Sequence, residues 1–420
     1  MGSAFAVARS LETADASAAP RFSEAEVLEM DIQFFQARVA RDSLAARDFA
    51  ELSRLYLQRA RGGGGDGDLR RAENHARRSL GLRAGRNGEA FQVLASSLMG
   101  QHRFTEARAV AERLTTLEPT YRPARAMLGD IQLELGDYEE ARRTFGMLYT
   151  SRGDLAVAPR YARWEEIRGR TAEARRLLRE ARDEASGRHA MPAAHLAWFY
   201  WRLGDLALRQ GRVREAEAEL EAGLALQPDD HRLLDALART AAARGRWGEA
   251  IAYGERAIAR TLDPGTLGLL YQAYTASGDS VKAEEYYRAM SVTVLGQADT
   301  FHRLWGLFLL DRGREVSTVL ARAESEIEVR RDVYGWDLLA WALYRAGRPA
   351  EAREKMRHAL ALGTRDASLF YHAGMIESAL GRNAQARRYL ETALEINPQW
   401  DPFQPAETKQ VLARMAVGEE

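Results

Sequence analysis

The sequence predicts an all-α fold, a solenoid of about ten helix–turn–helix units, and three rows of residues in common register carry that expectation. In the first row a small residue recurs at Ala72, Ala107, Ala141, Ala174, Ala216, Ala250, Ala283, Thr318, Ala352 and Ala386, at spacings of 35, 34, 33, 42, 34, 33, 35, 34 and 34 residues. In the second, a glycine stands five residues ahead: Gly67, Gly136, Gly169, Gly211, Gly245, Gly278, Gly313, Gly347 and Gly381, with His102 the exception. In the third, a mostly small residue precedes that glycine by seven: Ala95, Gly129, Ala162, Gly204, Ala238, Tyr271, Gly306, Ala340 and Gly374. A fixed period near 34 residues means that one supersecondary unit is stacked on copies of itself.

The unit Ala367–Pro398 gives each recurring position a mechanical reason. Counting Ala367 as position 1, Gly374 is position 8, Gly381 position 15, Ala386 position 20, Ala393 position 27 and Pro398 position 32. Small residues at 8 and 20 let the first helix approach the second. Glycine at 15 ends the first helix, because that cap wants a positive φ. Proline at 32 cannot continue the second helix. Large apolar residues at 3, 4 and 24 (Leu369, Phe370 and Leu390) fill the space between helices.

With these residues at this period, the pattern resembles the tetratricopeptide repeat over residues 46–400. The resemblance implies a right-handed superhelix in which positions 2, 5, 9, 12 and 13 of each first helix line the concave face. Position 9 here reads Ser96, Asp130, Arg163, Asp205, Arg239, Gln272, Leu307, Trp341 and Met375. The row starts charged, with alternating sign, and ends apolar or aromatic. Tyr334, Tyr344, Tyr371 and Leu310 add to the lining of the C-terminal half. Family members that clamp a terminal carboxylate carry Lys and Asn in the groove. No Asn occupies position 9 here, which argues against that mode of binding.

Taken in order, residues 1–22 read as a disordered leader, small and polar without periodicity. Residues 23–43 read as an N-terminal capping helix: Ser23 and Glu26 form a capping box, and Leu28, Ile32, Phe35 and Val39 share one face. The array spans 44–400. Its first repeat holds seven extra residues around Gly62–Gly67, so the insertion near 61–67 reads as a flexible inter-helix loop. No Gly-Lys-Ser/Thr follows and no strand precedes, so it is not a phosphate loop. Repeat four is the most charged, with nine arginines against six acidic residues between Arg160 and Arg188. It reads as a solvated face laced with pairs such as Glu173–Arg176.

A second insertion, near 185–192, marks the one break in the stack, and Trp198-Phe199-Tyr200-Trp201 follows it. Two of these four aromatic residues must pack inward, and the others are candidates to face a partner. Repeat seven sets a large Tyr271 at position 8. Repeat eight is degenerate, with Thr318 in the alanine row, and reads as a loosened joint. Residues 401–420 read as a C-terminal capping helix and tail, with Val411, Leu412 and Met415 closing the last apolar face.

Bulk properties remove several function classes. Sixty basic and 60 acidic residues balance, which speaks against a general nucleic-acid binder. There is no cysteine, hence no disulfide and no thiolate ligand. No run of about 18 apolar residues is present to span a membrane. None of the eight histidines sits in His-Glu-x-x-His or at i,i+4 on one helix, so no metal is expected. Gly-x-Ser-x-Gly and Gly-x-Gly-x-x-Gly are absent, so neither enzyme activity nor a cofactor is expected. The chain reads as soluble, cytoplasmic by default, and periplasmic or lipid-anchored if Met1-Gly2-Ser3 replaces an export signal.

The expected function is a non-enzymatic protein–protein interaction scaffold that binds a peptide or helical segment on its concave face. The alternative is a structural component of an exported or envelope-associated bacterial assembly. For the scaffold, Tyr334, Trp341, Tyr344, Tyr371 and Met375 are the candidate apolar anchors, and Asp337 would orient a basic group. Asp130, Arg163, Asp205 and Arg239 would set polar register.

Overall fold

The computed structural model describes residues 22–148, 154–189, 191–295 and 303–417. The expected leader therefore lies, apart from Phe22, outside the described residues. Twenty-two α-helices and no strand occur among the described residues. Helix α1 (Glu24–Arg41) precedes ten pairs: α2 (Ala46–Arg59) with α3 (Gly65–Leu82), α4 (Gly88–Gly100) with α5 (Phe104–Leu117), α6 (Arg122–Leu135) with α7 (Tyr138–Leu148), α8 (Ala158–Ile167) with α9 (Thr171–Ser186), and α10 (Ala193–Arg209) with α11 (Val213–Leu226). The remaining pairs are α12 (His231–Ala243) with α13 (Trp247–Ile258), α14 (Pro264–Ala276) with α15 (Ser280–Leu295), α16 (Arg303–Asp311) with α17 (Val316–Val329), α18 (Val333–Arg345) with α19 (Pro349–Leu360), and α20 (Ala367–Ala379) with α21 (Asn383–Ile396). Helix α22 (Gln404–Val417) closes the stack, with Val411 and Met415 buried.

Within a repeat, position 8 is small because the side chain at position 24 lies on it. A Cβ added at Gly129, Gly204 or Gly374 would come within 2.7 Å of Phe145, 2.5 Å of Leu220 or 2.5 Å of Leu390. In repeat six both positions are small, Ala238 and Gly254, and a Cβ on Gly254 would come within 2.8 Å of Leu270 in the next repeat. The turn glycine works as a left-handed cap. From Gly136 to Gly381 the eight glycines of that row have φ between +65° and +84°. Gly347 N–H donates to Tyr344 O at 3.0 Å and Arg348 N–H to Leu343 O at 2.9 Å, which satisfies carbonyls the helix end would leave bare.

Three expectations are corrected. The register assigned Gly67 to the turn row, but Gly67 lies within α3; the positive φ values belong to Gly63 (+115°) and Gly65 (+65°). The insertion there is not a loop. Helix α2 continues through a wide turn at Ala60–Gly64 and kinks at Gly63, whose Cα is packed so that a Cβ would lie 3.1 Å from Arg260 O. Thr318, assigned to the alanine row, is exposed, and Val319 is the buried residue. The turn of repeat eight carries one residue more than the others: Glu315 adopts φ +48° and delays the start of α17 to Val316. The second insertion goes into helix length, since α9 has 16 residues and α10 has 17 where α11 and α12 have 14 and 13.

The largest departure from an open solenoid is that its turns stack. The C-terminal ends of α6, α8 and α10 touch the connections that follow α17, α19 and α21. Arg331 N–H donates to Leu135 O at 2.9 Å, the Thr364 hydroxyl donates to Ile167 O, and Asn397 Nδ2 donates to Leu208 O at 2.9 Å. Val333 N–H donates to the Tyr138 hydroxyl at 2.7 Å, and the Arg330 guanidinium reaches Glu134 at 2.5 Å. Glycine is needed twice over here: a Cβ on Gly136 would come within 2.4 Å of Arg331 backbone, and one on Gly169 within 2.1 Å of Gly363 O. At Gly245, Gly278, Gly347 and Gly381 a Cβ would meet nothing.

Candidate partner-binding channel

Stacked turns convert the concave face into an interior channel. The first helices of repeats four to seven line it with a continuous chain of ion pairs. Glu166 holds Arg163 at 3.0 Å, Arg202 at 2.9 Å and Arg209 at 3.6 Å. Asp205 takes Arg202 at 3.2 Å, Arg209 at 3.0 Å and Arg239 at 3.1 Å. Arg239 continues to Asp235 at 2.9 Å, which accepts from the Thr266 hydroxyl at 2.9 Å. Burial opposes the charged form of Glu166, but its three guanidinium neighbours outweigh burial and hold its pKa down at about 2. Asp205 is held low by the same balance. Arg163, Arg209 and Arg239 lie deep in the molecule yet keep 28%, 36% and 35% of their side-chain surface, because they face open space inside it.

That space has two parts, which share Trp201 and Arg209. One, of about 600 Å³, is bounded by Asp205, Arg239, Asp263, Asp311, Asp366, His372 and Trp400. The other, of about 660 Å³, is bounded by Asp130, Arg160, Arg163, Trp198 and Arg202. Asp130 pairs with Arg160 at 2.6 Å. In the first part Asp263, Asp311 and Asp366 stand out. None makes an ion pair among the described residues, and burial raises the pKa of each, for Asp263 with Asp235 adding to it. Arg312, which follows Asp311 and borders the same space, lies over the Phe308 ring at 3.6 Å and makes no ion pair among the described residues.

The candidate contact residues therefore separate into two groups. Asp130, Arg163, Asp205 and Arg239 line the channel. The C-terminal group mostly does not. Trp341 is 1% exposed, stacks on Tyr344 at 4.8 Å and His372 at 4.2 Å, and donates its indole N–H to Asp311 at 2.9 Å. Tyr371 is buried and donates to Glu407 at 2.7 Å. Asp337 is buried 2.7 Å from His372 Nδ1. As placed, these three offer no surface to a partner, because repeats nine and ten use their lining positions to pack on each other. Tyr334, Tyr344 and Met375 are half-buried; Tyr334 receives the Arg163 guanidinium at 5.9 Å across the stacked turns. The residues that sequence reasoning missed, Asp235 and Asp311, stand at positions 5 and 13 of their repeats, rows that the position-9 reading passed over, whereas Trp201, at position 5, belongs to the aromatic cluster that the sequence singled out.

Four family models, each described as tetratricopeptide repeat, match one segment apiece: residues 98–149, 202–265, 335–362 and 367–399. The chain is a tetratricopeptide repeat protein. Among solved structures it is similar to PilW, a type IV pilus biogenesis factor, with 22% identity over 50% of this chain and 94% of that one and a TM-score of 0.40. It is also similar to a chain of the Cut9–Hcn1 hetero-tetramer of APC/C, with 12% identity over 94% of this chain and 96% of that one and a TM-score of 0.35. No curated protein matches. Tetratricopeptide repeat proteins are protein–protein interaction scaffolds, and this one has no helix, among the described residues, long and apolar enough to cross a membrane. Nor is any group of three His, Asp or Glu among the described residues arranged to hold a metal ion.

Proposed function

We propose that the channel holds a segment of a partner protein and that a basic side chain of that segment enters the space bordered by Asp263, Asp311 and Asp366. The observation that carries this reading is the trio Asp263, Asp311 and Asp366. Three carboxylates border one cavity without an arginine of their own, beside Trp201 and Trp400. A guanidinium or ammonium entering there would meet the half-buried carboxylates of Asp263 and Asp366, where charge-assisted hydrogen bonds are strong, the carboxylate of Asp311, which is open to the space, and aromatic faces that favour cations. The ion-pair chain from Glu166 to Asp235 would act differently. Its charges are already matched, so it would fix register and reject unmatched charge rather than supply affinity. The role is that of a scaffold rather than an enzyme.

A displayed random-peptide library selected on the whole protein tests this. Recovered peptides should be enriched in Arg or Lys beside apolar residues, and Asp311→Asn should weaken their binding by about tenfold while leaving helicity unchanged. Peptides without basic residues, or binding indifferent to Asp311→Asn, Asp263→Asn and Asp366→Asn, would remove the reading. Asparagine keeps the capping hydrogen bonds that Asp263 and Asp366 make to Thr266 and Ser368 backbone N–H, so the fold is not the variable.

A further inference from the structure

Helix α1 carries an apolar surface that nothing among the described residues covers. Its inner side docks on repeat one, with Ile32 buried and Leu28, Phe35 and Val39 half-buried. Its outer side carries Val27, Met30 and Phe34, at 41%, 43% and 56% exposure and at spacings of three and four, and Phe22 at 55% prolongs the stripe. The end cap of a repeat array ordinarily turns a polar face to water. This one does not, and its charges are sorted along the helix as well: Glu24 and Glu26 in the first turn, Arg38 and Arg41 in the last.

The sorting selects a partner. Set antiparallel to a copy of itself, with Met30 opposite Phe34 of the other copy, α1 brings each acidic first turn against a basic last turn. Glu26 then faces Arg38, and Ser23–Glu24 faces Arg41. Opposed helix dipoles add in the same sense. A parallel arrangement sets acid against acid. Arg38 already holds Asp48 of its own chain at 2.9 Å, so Arg41, which makes no ion pair among the described residues, is the cation free to cross. We propose that the protein self-associates through α1, antiparallel about a two-fold axis near Ile32, with Val27, Met30 and Phe34 as the seam. Such an isologous contact closes at two copies. An 18-residue helix is about 27 Å long, so the seam is smaller than the ~800 Å² per partner of stable complexes, and the dimer is a weak, concentration-dependent one.

Sedimentation of the full chain over a wide concentration range tests this. The expected result is a monomer–dimer equilibrium that Phe34→Glu weakens by about tenfold or more with unchanged helicity. Arg41→Glu should weaken it too, and the double change Glu24→Arg with Arg41→Glu should restore it, because both copies then exchange signs. The chain has no cysteine, so Met30→Cys should be linked to a second copy by a short bis-maleimide, and Glu391→Cys should not. A monomer at every concentration overturns the proposal, as does a dimer indifferent to Phe34→Glu. A dimer that forms only after residues 1–21 are removed overturns it as well, since the preceding segment would then be the occupant.

Discussion

His372 is wedged between the Trp341 ring and the Asp337 carboxylate, and it titrates accordingly. Burial alone would lower its pKa, but Asp337, with Asp311 and Asp366 behind it, overrides burial and raises it above 6.5. A raised cationic group contributes stability that is fully present below its unfolded value and is lost as pH rises through the folded one. The melting temperature of the protein should therefore fall, relative to His372→Gln, as pH is taken upward from 6.5 through the raised value; a constant difference would mean that the imidazolium is not involved. Trp341 at the same site is core. Trp341→Ala should cost about 3–5 kcal/mol in chemical denaturation, because it removes a buried ring and orphans the Asp311 hydrogen bond. Its burial was not legible in the sequence. A tryptophan at a lining position reads the same whether it faces a partner or the next helix, and only the packing of Tyr371 and His372 against it decides.

At the scale of the helix pair, most of the fold was legible, because the repeat is a local device: a small residue under a large one, a left-handed glycine and a stop. Where sequence register slipped, one extra residue is the cause. In repeat eight, Glu315 in the left-handed region moves α17 on by one position, so that Val319 rather than Thr318 meets α16. Thermal unfolding should register the slip. Thr318→Leu should stay within about 0.5 kcal/mol, and Val319→Leu should destabilise by about 1–3 kcal/mol through overpacking. Glu315→Gly should stabilise by about 1 kcal/mol, since glycine adopts that φ without the Cβ clash. Equal effects at 318 and 319 would return the register to Thr318. The glycine-rich insertion was misread for a related reason. Glycine permits a loop, but at Gly63 it serves a close backbone approach to Arg260.

At the scale of the molecule, the stacked turns were invisible in the sequence. Contacts nearly 200 residues apart leave no periodic trace, and the donors involved (an arginine N–H, a threonine and an asparagine) share no pattern. The channel follows from that stacking, so only its position-9 residues could be named beforehand. Two alanine substitutions separate stacking from local turn geometry. Gly169→Ala and Gly245→Ala both place a Cβ at positive φ, about 1 kcal/mol each, but only at residue 169 does it collide with the opposite turn, at Gly363 O. Small-angle scattering should find a larger radius of gyration for Gly169→Ala and an unchanged one for Gly245→Ala. If neither expands, the turns are not held in contact in solution.

The stacking also bears on how the chain matures. In an ordinary array each repeat finds all its partners next door, so folding can start anywhere and spread. Here the helix-end carbonyls of Ile167 and Leu208 wait for donors 197 and 189 residues downstream. On the ribosome, repeats three to five emerge well before those donors exist and must keep these carbonyls hydrated in the interval. The last event is a closure of high sequence separation, slow in the way that non-local contacts are. A nascent or truncated chain therefore passes through an open spiral, and only the finished one has an inside.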